Sequence, residues 1–556
     1  MEEMKATLQR VIQDVYKSDV QAELTRPDAQ FGDYATNVAL QLAGRLGRKP
    51  REVAEELAAK LREELSNTVR EVTVAGPGFV NIALSDAALA EQALAAPITK
   101  PDVFRNQVVI AEYSDPSAFK VLHAGHLYTS VVGDAIANLV EASGGEVHRV
   151  NFGGDVGLHV GKTMWAIIQE LGGEHPEKLA DVPSDGHAEW MAQCYVKGEQ
   201  AYVDDEATKA EIIETNKRVY QVHTEDDHES SFAKVYWTCR TWSYEYFDAF
   251  YARIGSHFEK YYPESITMPR GVQTVKEQFE KGVYEKSDGA IVFKGEPFGL
   301  HTRVFINSQG LPTYEAKDVG LIMMKWDDYH FDRSIIITDH AQAPYMEVVV
   351  KSIEQFAPEL AQRTTHLTHG RVKLAGGVKM SSRKGNIVRA VDVLDAAFDA
   401  SKAAGRADEE ASLGAVKYAF IKPRIGADIV YDPAESVSLD GNSGPYLQYA
   451  HARARSILAK AGDGERQIAE LDDHERQLAR KIGEYPEVLQ KAVSELMPHH
   501  VCTYLYELAQ AFNRFYEHAK VVGDPRQATR LKLVELYADV LKDGLTLLGI
   551  AAPDTM

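Results

Sequence analysis

The sequence predicts a multidomain protein: an α/β core broken by a helical insertion, an α+β module ahead of it and an all-α bundle behind it. Three observations carry that reading. At 556 residues the chain exceeds what one hydrophobic core supports, which sets the expectation at three or four domains. Strand-like and helix-like segments alternate on both sides of a long, charged, helical stretch. From residue 411 onward the pattern is nearly all helix.

Bulk composition excludes more than it assigns. Apolar content of 45% and charged content of 26% are ordinary globular values, and no run approaches the roughly 18 apolar residues of a membrane span. The start, Met1 to Arg10, is acidic and reads into an amphipathic helix, so neither a secretory signal nor an Arg-rich transit peptide is expected. Cys194, Cys239 and Cys502 are scattered, against a disulfide framework or a cysteine zinc site and in keeping with a reducing cytoplasm. A net charge of -21 argues against an indiscriminate nucleic-acid binder, though not against local basic patches.

Residues 1–100 open with two helix-like periods, carry the loop Phe31-Gly32-Asp33-Tyr34-Ala35-Thr36-Asn37, and close on strands at Val72–Val74 and Gly78–Leu84. That mixture suggests a small α+β domain. Residues 101–165 read differently. Val108 to Tyr113 is a buried strand, a His/Gly turn and an apolar helix from Leu127 to Val140 follow, and Glu146 to Phe152 is a second strand. Strand, turn, helix and strand make a βαβ unit of Rossmann type, whose ligands lie beyond the strand C-termini. Residues 166–300 read as a helical insertion, with the aromatics near Trp237, Trp242 and Tyr244 taken as packing. Alternation resumes at Thr302–Phe305 and Ser334–Thr338, so 301–410 is the second half of the core, and 411–556 is the bundle.

Two segments carry the chemistry. His123-Ala124-Gly125-His126 sits at the strand-to-helix turn, where imidazole donors and a helix N-terminus together suit phosphate. Lys379-Met380-Ser381-Ser382-Arg383-Lys384-Gly385 packs cations, hydroxyls and a glycine into one basic loop. Each motif arises easily by chance, but their order and wide separation point to an ATP triphosphate held from two sides. Tyr314 and Asp318, at i and i+4 on a predicted helix, share one face. With Glu112 at a strand end they suit a guanidinium or ammonium ligand rather than a metal; a Tyr-x-x-x-Asp alone equally fits a carboxylate paired with a structural arginine. In Asp440 to Tyr449 a Gly/Asn/Pro turn exposes aromatics, then starts a helix bearing Arg453 and Arg455. Stacking rings and arginines are what single-stranded RNA asks for, with helix packing as the plain alternative.

With these motifs in place the chain resembles arginyl-tRNA synthetases, class I aminoacyl-tRNA synthetases, essentially from end to end. The His123–His126 and Lys379–Ser382 segments look like the two class I signatures. Arginine is suggested by Glu112 to Pro116, Tyr314 to Asp318, Asp440 to Tyr449 and Phe31 to Asn37. The resemblance implies ATP binding by His123, Gly125, His126, Gly370, Lys379, Met380 and Arg383, with His123, His126, Lys379 and Ser382 serving catalysis. It implies arginine binding by Glu112, Tyr314, Asp318 and Gln342, and tRNA binding by Asp33, Tyr34 and Asn37 at the elbow and by Tyr446, Tyr449 and Arg453 at the anticodon end. ATP with Mg²⁺, L-arginine and an arginine tRNA are the implied cofactor and partners; no metal site on the protein, no membrane and a cytoplasmic monomer are expected. Ser117, where the family usually has asparagine, Tyr128 in place of arginine and His159 in place of glutamine are departures. Another class I synthetase, an H-x-G-H nucleotidyltransferase and a non-catalytic RNA-binding relative are the competing readings.

Overall fold

The computed structural model describes residues 2–375, 388–462 and 464–556. In the N-terminal module, α1 (Glu2–Tyr16), β1 (Tyr34–Thr36), α2 (Val38–Leu46), α3 (Pro50–Glu64), β2 (Val69–Ala75) and β3 (Phe79–Leu84) build an antiparallel sheet of order β1–β3–β2 under helices. The helices are where the periodicity puts them. Leu8, Val11 and Ile12, then Val53, Leu57 and Leu61, recur at helical spacing and are buried together. Helix α4 (Asp86–Ala95), capped by Ser85 Oγ accepting from the Ala88 amide, leads on to the core.

The core begins with β4 (Val108–Glu112), α5 (Ala124–Ala142) and β5 (Glu146–Gly153). Helices α6 (Leu158–Leu171), α7 (His187–Asp204), α8 (Glu206–Thr224) and α9 (Ser231–Ile254) follow, then β6 (Lys260–Pro263) and α10 (Glu264–Glu280). After β7 (Glu285–Ser287), β8 (Ala290–Phe293) and β9 (Arg303–Ile306), the chain resumes with α11 (Tyr314–Tyr329), β10 (Arg333–Asp339), α12 (Ala343–Glu354), α13 (Pro358–Arg363) and β11 (Thr364–His369). The central sheet is parallel throughout, in the order β11–β10–β4–β5–β6. Strands β4, β5 and β6 run outward one way, and β10 and β11 the other. The order therefore reverses between β4 and β10, and the crevice lies at their C-terminal ends, beyond Glu112 and Thr338.

Two details differ from the sequence reading. Strand β6 lies inside 166–300 yet belongs to the central sheet, because Lys-Tyr-Tyr-Pro is too short to show a period and ends in proline. Strand β9 joins β7 and β8 in a separate antiparallel sheet and does not extend the central one.

Beyond the core, β12 (Val372–Leu374), α14 (Ala390–Ala403), α15 (Glu409–Ile421), β13 (Ile429–Tyr431) and α16 (Pro433–Ser436) lead to the long helices α17 (Gly444–Ala461), α18 (Asp473–Gly483), α19 (Tyr485–Glu495), α20 (His499–His518) and α21 (Gln527–Leu547). Among the described residues the bundle has no core separate from that of α5. Helix α5 is buried on nearly every side, and Leu127, Val131, Ile136 and Leu139 share one apolar cluster with Val416, Leu447, Leu489, Leu505 and Leu541. Each such side chain contributes about 1.5–3 kcal/mol on burial. No helix among the described residues is long and apolar enough to cross a membrane.

Candidate functional site

His123 is the N-cap of α5, in extended backbone, and the two histidines cap that helix end reciprocally. The Gly125 amide donates to His123 Nδ1 at 3.0 Å, and the His123 amide donates to His126 Nδ1 at 3.1 Å. An Nδ1 that accepts leaves the proton of a neutral imidazole on Nε2, so both rings present an N–H donor. Burial, with Lys120 close by, lowers His123 to about 4. Burial and the His123 ring, 3.8 Å away and stacked, push His126 well below the usual histidine range. Gly125 has no substitute here, since a Cβ would meet the His123 ring at 2.8 Å.

Both imidazoles line a cavity of about 540 Å³ shared with Ser117, Lys120, Arg389 and the Tyr195–Val196 side of α7. Sequence reasoning missed Lys120. Its ammonium stands 4.2 Å from the Tyr195 ring centroid, and burial lowers it to about 8. Arg389 is held beside the histidines by backbone, with Ala124 donating to Val388 O and Ala390 to Leu122 O. Its guanidinium binds Glu189 and Asp392. Lys379, Met380, Ser382 and Arg383 lie outside the described residues.

A second cavity, of about 530 Å³, brings together Glu112, Tyr314, Asp318 and Gln342, from β4, α11 and the start of α12. Tyr314 and Gln342 are exposed at its mouth, whereas Glu112 and Asp318 are buried. Lys325 and Glu112 form a fully buried ion pair, so Glu112 already has its countercharge. Asp318 differs: it is 5% exposed and has no hydrogen bond or ion pair among the described residues. Burial, then the Glu112 and Glu264 charges, lift its carboxyl well above the usual range.

The cavity also contains acids that sequence reasoning did not assign. Five carboxylates line it, Glu112, Asp115, Glu264, Glu315 and Asp318. Three cations answer them: Lys325 on Glu112, Lys317 on Glu264 at 2.6 Å, and Arg303 on Glu315 at 3.4 Å. Among the described residues Asp115 and Asp318 have no partner cation, so the cavity is short of two positive charges. Ser117 lines both cavities and is where they join. A ligand bearing two cations and ending near Ser117 would meet whatever the imidazoles hold.

Gly370 and the elbow residues were read from sequence as ligand contacts. A Cβ at Gly370 would fall 2.2 Å from Ala427 O, so the glycine is already required by backbone approach. Asp33 and Tyr34 need correction. Asp33, 3% exposed, accepts from the Leu84 amide and pairs with Arg476 and Arg480 of α18. Tyr34 is fully buried and donates to Glu487 of α19, itself paired with Arg26. Both fasten the N-terminal module to the bundle and present no surface to RNA. A turn aspartate looks exposed in sequence; two arginines more than four hundred residues away bury it. Asn37 is exposed.

On the bundle, Tyr446, Tyr449 and Arg453 share a face of α17 at i, i+3 and i+7. Tyr446 accepts from Asn513 at 2.9 Å, Arg453 lies 4.5 Å over the Tyr516 ring, and Tyr449 is 44% exposed. This is an aromatic and cationic surface facing outward.

A parallel crevice holding paired neutral imidazoles beside a cation-deficient pocket defines a nucleotide-dependent enzyme acting on a cationic substrate. Residues 89–417 match the family model for tRNA synthetases class I (R), catalytic domain; residues 2–84 match the arginyl tRNA synthetase N terminal domain, and 447–556 the DALR anticodon binding domain. The chain belongs to the arginyl-tRNA synthetase family of class I. Among curated relatives, the arginine–tRNA ligase of Frankia casuarinae is 33% identical over 100% of this chain and 97% of its own, and that of Bdellovibrio bacteriovorus 30% identical over 98% and 95%. The solved arginyl-tRNA synthetase of Thermus thermophilus superposes with a TM-score of 0.81 at 24% identity over 100% of both chains, a likeness of fold.

Proposed function

We propose that the protein is an arginine–tRNA ligase of protein synthesis. The single observation that carries this reading is the join at Ser117 between a pocket short of two positive charges and a pocket of neutral imidazole donors. L-arginine supplies the two cations. Its guanidinium meets Glu112 and Asp318 at the closed end, with Tyr314 and Gln342 at the mouth. A planar fork of donors matches paired carboxylates, whereas the point-charge ammonium of lysine leaves part of them unpaired.

The carboxylate of bound arginine attacks the α-phosphorus of ATP; the bond to the β-phosphate oxygen breaks, and pyrophosphate leaves. His123 and His126 donate Nε2–H to phosphate oxygens as charge builds, without a proton changing owner. Lys120 adds a cation on the same side, and the Lys379–Arg383 segment is assigned the opposite side from its sequence. Mg²⁺ bound to the triphosphate would neutralise charge there; among the described residues no three His, Cys, Asp or Glu side chains group as a metal site, so it is read as arriving with ATP. A ribose hydroxyl of the tRNA 3′-terminal adenosine then attacks the arginyl carbonyl, and AMP leaves. Tyr446, Tyr449 and Arg453 bind the anticodon end, and Asn37 the elbow. We read the protein as a cytoplasmic monomer.

Arginine-dependent exchange of pyrophosphate into ATP, run with and without arginine tRNA, tests the reading. Exchange that appears with arginine and tRNA, and not with lysine, supports it. No exchange under any condition, with tRNA binding intact, would return the chain to the non-catalytic alternative.

A further inference from the structure

The imidazole cavity has a cation on its wall whose charge is already taken. Arg389 stands directly across from His123 in an antiparallel bridge, with the Ala390 amide donating to Leu122 O at 2.8 Å and the Ala124 amide to Val388 O at 3.0 Å. One edge of its guanidinium is fixed. Nε donates to the two Asp392 oxygens at 3.1 and 3.0 Å, and Nη2 donates to Oδ1 at 2.6 Å, a side-on fork at the start of α14. Nη1 donates instead to Glu189 Oε1, at 2.8 Å.

Glu189 comes from the insertion. It lies in the first turn of α7, and Ala192, Gln193 and Val196, at i+3, i+4 and i+7 from it, line the cavity. The acid therefore continues the helical stripe that forms this wall, and its pair with Arg389 ties the insertion to the core at the cavity's edge. The two carboxylates hold Arg389 differently. The fork on Asp392 keeps the guanidinium in place whatever Nη1 does. The Glu189 contact is a single bond between side chains 37% and 41% exposed, a kind of pair that contributes little and is easily exchanged. Two carboxylates on one guanidinium also leave that trio with a surplus negative charge, beside a cavity whose His123, His126 and Lys120 suit an anion.

We propose that Arg389 is a phosphate-binding residue held in reserve, and that Glu189 is the internal carboxylate that occupies it until a phosphate of the nucleotide takes its place. This rests on the nucleotide reading of the imidazole cavity given above. Exchange of one oxyanion for another keeps Nη1 bonded throughout, and the partly exposed Glu189 is released into water rather than into the protein. On the way out the carboxylate competes with the departing phosphate, so the cation does not retain the product. Because Glu189 is carried by α7, filling the nucleotide pocket also unties this contact between insertion and core. Arg389 binds and orients; it takes no part in bond exchange.

The test is calorimetric titration of the full-length protein at constant ionic strength, with ATP and Mg²⁺ and, separately, with adenosine, which lacks the phosphates. Glu189→Gln keeps the shape of the contact and removes its charge. It is expected to bind ATP about two- to fivefold more tightly, the worth of a partly exposed ion pair, with adenosine affinity unchanged. Arg389→Met is expected to bind ATP roughly 10- to 100-fold more weakly, the loss of one charged hydrogen bond, again with adenosine unchanged, and Arg389→Lys to fall between. In the double variant the gain from Glu189→Gln is expected to vanish. A bridge that only holds the wall in place would instead weaken ATP and adenosine binding in both single variants, and that result overturns the proposal. So does a gain from Glu189→Gln that survives the loss of Arg389, since Glu189 would then act by general repulsion. Failure of the unmodified protein to bind ATP, alone or with arginine tRNA, would remove the nucleotide reading on which the proposal stands.

Discussion

The acidic pocket holds its charge on buried carboxylates, whereas the imidazole pocket holds neutral rings with cations only along its wall. In the first, carboxylates outnumber cations, and burial keeps the Asp115 and Asp318 carboxyls well above their ordinary range. In the second, burial keeps His123 and His126 neutral, and the charge lies on Lys120, Lys197 and Arg389 at the wall. The difference matches two kinds of ligand. A small cation gains most from countercharge that water cannot screen. A polyanion whose fragment must leave after reaction is well met by oriented neutral donors, which stabilise charge as it builds without holding the product as fixed cations would.

Removing charge from the first pocket should have the largest effect. Asp318→Ala is expected to lower arginine-dependent pyrophosphate exchange by about 10³-fold, as for loss of one partner of a buried charged pair, with tRNA affinity unchanged in filter binding; turnover near the parent's would dismiss the pocket. In the second pocket, His126→Ala should slow adenylate formation in single turnover by about 10²-fold, the usual worth of one preorganised donor. Arginine affinity should hold; a variant that activates normally but binds tRNA poorly would sink the phosphate role. On the bundle, Tyr449→Ala removes one stacking surface and should weaken tRNA binding by about tenfold while single-turnover adenylate formation stays as it was. A change in adenylate formation without one in tRNA affinity would count against that face. The smallest effect concerns pH. Because the Asp115 and Asp318 carboxyls are raised in the free protein, binding a cation must expel protons. Arginine affinity should therefore rise several-fold from mildly acidic to neutral pH, with proton release seen as a dependence of the calorimetric heat on buffer ionisation enthalpy. A flat profile would mean both acids are already ionised.

Much of the crevice was legible in sequence, and the reasons are local. Val108 to Glu112, Ala124 to Ala142 and Glu146 to Gly153 announce themselves by apolar runs and period, which puts His123 and His126 at the turn before α5; their reciprocal capping is seen only in the structure. Asp318 was found because Tyr314 shares its helical face. What escaped depends on partners distant in the chain. Whether Glu112 is free or satisfied turns on Lys325, more than two hundred residues on, and whether Asp33 is exposed turns on Arg476 and Arg480. Lys120 and Asp115 look like ordinary loop residues until the β4 turn folds them against the pockets. Pattern reports which residues lie on one element; it does not report which charges are already spent.

Helix α5 ties the two ends of the molecule together. Its first residues hold the imidazoles, and its flanks share an apolar core with the helices that carry Tyr449. The two ends are packed through one continuous apolar cluster, which sets the span between them. For the function proposed here, an RNA whose anticodon and 3′ end stand at the wrong separation cannot touch both jaws at once. Length would then be read along with sequence, by a caliper that needs no moving part.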